Sequence, residues 1–176
     1  MPSAYPYLIS SLPTLVFGTR PPFGIERFLE QCESQIPQAD LESVKLCFSE
    51  EPWDVKTQQQ TLRQWINFET ALRNELVRVR AARKKVDPAR FLRGEAGSEP
   101  AFYQLALNSH RITHPADAEK FLDQARWQAL EELSASHYFD LDALIAYALK
   151  LKILWRWERV HQADASAIVL EELVRT

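Results

Sequence analysis

The chain has 176 residues, 46% of them apolar and 26% charged, with a formal net charge of −3. Those values suit one soluble globular domain or two very small ones. Four glycines leave too few turn residues for a hairpin-built β fold, whereas the abundant Leu, Ala, Glu, Gln and Arg lose little entropy in a helix, so an all-α protein is expected.

The N-terminal MPSAYPYLISSLP carries no basic stretch ahead of an apolar one, and no apolar run approaches the ~20 residues that cross a bilayer. The expected location is therefore cytoplasmic, with no direct membrane insertion. Pro21-Pro22-Phe23-Gly24 opens a first helix in which Ile25, Phe28, Leu29, Cys32 and Ile36 recur at helical spacing, and Pro37 closes it. Asp40 reads as the cap of a second short helix with Leu41, Val44, Cys47 and Phe48 inward. Ser49 to Lys56 reads as a loop. Cys32 and Cys47 read as small buried hydrophobes, too few for a structural zinc site.

Residues 57–86 form the expected long central helix, with Leu62, Trp65, Ile66, Leu72, Leu76, Val79 and Val86 in steps of three and four. Glu69 sits on that stripe, and Arg73, one turn later, is its simplest ion-pair partner. Asp87-Pro88 then caps a short turn through Phe91 and Leu92 that Gly94 ends, and Gly94 to Ser98 reads as a flexible linker. Three further helices are expected over about 99–110, 115–136 and 140–160, with a last amphipathic piece from Asp164. Residues 141–157 are apolar almost all round and should form the most buried helix.

Two hexapeptides match: ERFLEQ at Glu26 to Gln31 and EKFLDQ at Glu119 to Gln124. A proline precedes each (Pro22, Pro115), a glutamine follows each (Gln35, Gln128), and Asp40-Leu41-Glu42 resembles Asp140-Leu141-Asp142. One reading is a pair of degenerate helical units, residues 5–48 and 102–154, flanking the long helix. The other is that helix starts look alike. On either reading Phe28-Leu29 and Phe121-Leu122 are expected to face inward equivalently.

Charge is uneven along the chain. Residues 25–60 hold eight acids against three bases, and residues 61–93 nine bases against three acids. The basic run of Arg73, Arg78, Arg80, Arg83, Lys84 and Lys85, followed by Arg90 and Arg93, fits an acidic protein surface, a nucleic acid or a merely solvated or internally paired face. Trp155 and Trp157, two apart on a helix, cannot face one core; either one reaches a partner or both lie between neighbouring helices. Arg73, Arg78, Arg80, Lys84, Lys85, Trp155 and Trp157 are thus the candidate interface residues. His110 and His114 have helical ligand spacing, but Pro115 breaks the helix there and no third ligand follows, while His137 and His161 look isolated. With no nucleophile elbow, phosphate loop or convergent dyad, neither catalytic activity, cofactor, metal nor small-molecule substrate is expected.

Three strings, YPYLISSLPTLVFGTRPPFGIERFLEQC, WINFETALRNELVRVRAARKKVDP and FLDQARWQALEELSASHYFDLDALIAYALKLKILWRWERV, resemble a bacterial family of unknown function (domain of unknown function 2764) whose genes lie among those for V/A-type ATPases. More distantly the chain is similar to the C/d subunit of those ATPases, the non-catalytic all-α socket that seats the central stalk and is built from repeated units opening with a Tyr-Leu segment. The chain is about half the length of that subunit and is too short for its three-unit socket. The resemblance implies a helical subunit or assembly factor of a proton- or sodium-translocating ATPase, peripheral to the membrane, with ATPase subunits as partners. A nucleic-acid-binding module using the basic stripe is the competing expectation.

Overall fold

The computed structural model describes residues 4–51, 56–94 and 99–174, with side chains to residue 163. The described residues form seven helices in order: α1 (Pro6–Ser11), α2 (Ile25–Glu33), α3 (Gln38–Leu46), α4 (Gln60–Lys84), α5 (Pro100–Arg111), α6 (Pro115–Ser134) and α7 (Leu141–Val174), with a 3-10 turn at Pro88–Phe91 after α4. The fold is all-α; the described residues contribute one isolated bridge, Ala4 to Asp140, and no strand. The chain divides into two compact units, Met1–Phe48 with Ser136–Thr176, and Ser49–Ala135.

In the first unit α2 and α3 pack on α7. The expected apolar helix is real: Leu144, Ile145, Ala148, Leu149, Leu151 and Leu154 are all buried. Polar atoms of α7 also tie down the loops around it. Tyr147 Oη donates to the Pro13 carbonyl at 3.0 Å, Trp155 Nε1 to that of Phe23 at 2.7 Å, and Lys152 Nζ to that of Cys47 at 3.2 Å. Each bond satisfies a loop carbonyl that helix packing takes from water. Phe28 lies at the centre of an aromatic cluster, 5.5 Å from Tyr147, 6.2 Å from Phe48 and 6.4 Å from Phe23 between ring centroids. Tyr5 fixes the N-terminal segment twice, its amide donating to the Phe139 carbonyl and its hydroxyl to Asp40.

In the second unit α4 packs on α5 and on the 3-10 turn, and α5 on α6. Three of its elements begin with proline, Pro88, Pro100 and Pro115, where a missing amide costs nothing and the fixed φ suits the first turn. Gln59 caps α4 by accepting from the Leu62 amide at 2.6 Å, and Asp87 caps the 3-10 turn through the Ala89 amide at 3.0 Å. α4 ends at Lys85 in the left-handed region, φ 55°, where the chain leaves the helix axis.

Several expectations need correction. α7 runs on to Val174, so residues from Asp164 onward extend it and form no separate helix, and at 34 residues it exceeds the 25 of α4. Asp40 lies in the first turn of α3, whose N-cap is Pro37. Val86 is exposed, beyond the end of α4. The Phe-Leu pairs are not equivalent: Phe28 is buried and Leu29 half-buried, whereas Phe121 is half-buried and Leu122 buried. The second proposed unit, 102–154, also crosses from one compact unit into the other. ERFLEQ opens α2, with Pro22 outside the helix, whereas EKFLDQ begins one turn into α6, which Pro115 opens, so the two hexapeptides hold different helix positions and face their surroundings one residue out of register. The linker residues 95–98 and loop residues 52–55 lie outside the described residues.

Candidate functional site

The basic run on α4 separates into structural and exposed members. Arg73 Nη1 donates to the Phe91 carbonyl at 2.8 Å, and its neighbour Asn74, 1% exposed, donates to the Arg93 carbonyl at 2.7 Å and accepts from the Arg93 amide at 3.0 Å. Together they strap the segment after the 3-10 turn onto α4. Burial and the nearby Arg93 charge lower the Arg73 pKa. Arg78 Nη1 lies 2.5 Å from Oε1 of Glu75, an acid 1% exposed, so it neutralises a buried charge. Arg80, Arg83, Lys84 and Lys85 are exposed. Their place at the helix C-terminus suits cations, which interact favourably with the terminal carbonyls.

Glu69 does not pair with Arg73. Its Oε1 accepts from Arg126 Nε of α6 at 2.7 Å, and Arg126 Nη1 donates to Asp123 at 2.9 Å. Burial disfavours the charged guanidinium, but the charge and hydrogen bond of Glu69, joined by those of Asp123, outweigh it and raise the Arg126 pKa overall. The exposures are 15% for Arg126, 13% for Glu69 and 1% for Asp123, so this is an interior ionic network. The reading of α4 alone missed it because the partner comes from another helix.

Beside the exposed end of α4 lies a cleft of about 250 Å³ between α4, α5 and α6. Leu76, Val79, Ala106 and Leu122 contribute its apolar walls. Arg80, Arg83, His110 and Glu119 contribute the polar ones, and Arg83 Nη1 stands 3.0 Å from His110 Nε2. His110 lies in the last turn of α5 and His114 is the N-cap of α6, so the two imidazoles do not share a helix face.

The tryptophans belong to the first unit. Trp155 is a strut, bonded to the Phe23 carbonyl. Trp157 is half-buried, with the Arg156 guanidinium 5.8 Å from its ring centroid and His161 at 6.4 Å. His137 is not isolated: Nδ1 lies 2.6 Å from Asp140 Oδ2 and 3.9 Å from Asp142 Oδ2. One donor atom from each of these three residues falls within 4.8 Å of the others, the spacing a cation would need. Two of the donors already serve the fold, since Asp140 also accepts from the Ala143 amide at 3.0 Å in the first turn of α7.

Fold and site thus define an all-α protein of two helical units, one of which carries an exposed cationic helix end beside a basic cleft. Residues 98–175 match the model of a family described as a protein of unknown function, DUF2764. No curated protein and no solved structure matches the chain. The matched segment spans α5, α6 and α7 and so includes Trp155, Trp157 and the α5–α6 walls of the cleft, while α4 precedes it. No described helix is long and apolar enough to cross a membrane.

Proposed function

We propose that the protein is a non-enzymatic helical subunit or accessory factor of a V/A-type ATPase, peripheral to the membrane, that holds an acidic protein surface with the exposed end of α4. The ATPase part of this reading rests on the sequence resemblance. The location of the interface rests on one observation: Arg73 and Arg78 are consumed by bonds within the unit, whereas Arg80, Lys84 and Lys85 are exposed together at the helix end. Exposed clustered charge contributes more to partner choice and encounter rate than to fold stability. Trp157, half-buried beside Arg156, offers the first unit a second contact of the kind enriched at interfaces.

The test is affinity purification of the endogenous tagged protein under mild conditions. Recovery of ATPase subunits is expected; their absence removes the reading. A steeply salt-dependent shift with DNA or RNA, without ATPase subunits, would transfer the cationic face to a nucleic-acid role.

A further inference from the structure

The cleft between α4, α5 and α6 has a division of labour that a solvated charge cluster does not require. Its walls are mixed: Leu76 and Val79 line one side among charged neighbours, and Ala106 and Leu122 lie buried behind it, 0% and 2% exposed. Its two cations, Arg80 and Arg83, come from α4, and His110 of α5 faces Arg83 from the opposite wall at hydrogen-bond distance, 3.0 Å. Proline at the first position of α6 also lines it, so the positive end of a 20-residue helix lies at the same opening. A cavity of about 150 Å³ already accepts a benzene ring; 250 Å³ leaves room for a ring or branched alkyl group and a short polar extension.

We propose that this cleft is a binding site for a small organic acid with an apolar body, which lies against Leu76, Val79 and Leu122 while its carboxylate is held by Arg80 and Arg83. Guanidinium groups suit a carboxylate because their N–H donors match its two oxygens. His110 positions Arg83 by accepting from it through Nε2 in the neutral ring. Glu119 lines the same cleft and opposes an anion by like-charge repulsion. This site does not depend on the ATPase reading: it shares Arg80 with the proposed interface, but its ligand is a free acid and its other contacts, Arg83, Leu76, Val79 and Leu122, belong to the cleft.

The probe is 3-phenylpropionate, titrated into the full chain at low salt and followed by amide chemical shifts, with 3-phenylpropan-1-ol and inorganic phosphate as comparison arms. Saturable binding of the acid is expected, with Kd of order 1 mM or tighter for so few atoms. Shifts should concentrate on α4, α5 and the start of α6. Arg83→Gln should weaken binding about tenfold and Glu119→Gln should tighten it. Ala118→Phe, which fills the cleft from its half-buried α6 wall, should abolish binding, with helical content retained. Absence of saturation at about 20 mM, roughly twenty times the upper end of that range, overturns the proposal. So does equal binding of the alcohol, which would leave the arginines without a role, or of phosphate, which would leave the apolar walls without one. Unchanged affinity in both Arg83→Gln and Ala118→Phe places any binding elsewhere and also overturns it.

Discussion

Arg126 Nε on α6 lies 2.7 Å from Glu69 Oε1 on α4, so the acid on the apolar stripe of α4 is answered by a residue 57 positions away and not by Arg73 one turn along its own helix. The two arginines consequently have different energetic roles. Arg126→Met takes the guanidinium away from the interior Glu69 carboxylate and removes its bond to Asp123, and should destabilise the second unit by about 3 kcal/mol, the scale for removing one member of a buried pair. Arg73→Met gives up a hydrogen bond to a backbone carbonyl and should cost about 1 kcal/mol. Urea unfolding of both variants checks this, and equal losses would place the interior pairing elsewhere.

The His137–Asp140 contact makes the first unit sensitive to pH. The hydrogen bond that His137 Nδ1–H donates to Asp140 raises His137 above its ordinary 6.5, outweighing desolvation, and the charges of Asp140 and Asp142 add to it. For Asp140, desolvation acts upward, but the His137 hydrogen bond, the Ala143 amide and the His137 charge bring its pKa below the ordinary 3.8. The His137 contribution is complete below pH 6.5 and is lost as pH rises through its higher folded value. The Asp140 contribution is present above pH 3.8 and is lost as pH falls through its lower folded value. The stability difference between wild type and His137→Gln should therefore be larger at pH 5.5 than at pH 8.5. Partial exposure and salt screening limit it to about 0.5 kcal/mol. A difference that grows towards alkaline pH would reverse the assigned direction.

Both cysteines should be silent in the native protein. Burial pushes Cys32 up to about 12, and Cys47 likewise, where burial outweighs the opposing Lys152 charge and backbone bond. At pH 8 neither forms appreciable thiolate, the reactive species. A thiol reagent should modify the native chain at least about 100-fold more slowly than the urea-unfolded one, with the residual rate reporting opening of the first unit. Fast native labelling would mean that Cys32 or Cys47 is not interior.

Helix existence was legible in the sequence because proline, apolar spacing and caps act locally: Pro88, Pro100 and Pro115 open elements, and Asp87 caps as its position next to Pro88 implies. The extent of α7 was also available, since no glycine or proline follows Phe139. What sequence periodicity could not supply is the choice among tertiary partners. The Glu69–Arg126 network, the Asn74 clamp on Arg93 and the His110–Arg83 contact each join different elements. Nor could matching hexapeptides fix which of Phe and Leu faces the core, because a rotation of one residue, about 100° on a helix, changes the answer without changing the pattern. The candidate interface was half legible for the same reason. Charge marked α4 correctly as basic, but only packing separates Arg73 and Arg78, which serve the fold, from Arg80, Lys84 and Lys85.

The division of α4 into spent and exposed cations meets its most direct test in a quantitative capture experiment. Tagged wild-type protein and an Arg80→Glu/Lys84→Glu/Lys85→Glu variant are expressed at matched levels, with circular dichroism and urea midpoints confirming that both are folded. ATPase subunits recovered with each are then measured by mass spectrometry. Wild type should recover them, and the variant should lose most of that recovery, about tenfold or more, because like charges then face the acidic partner. Equal recovery by the folded variant, or no ATPase subunits with wild type, would contradict the account.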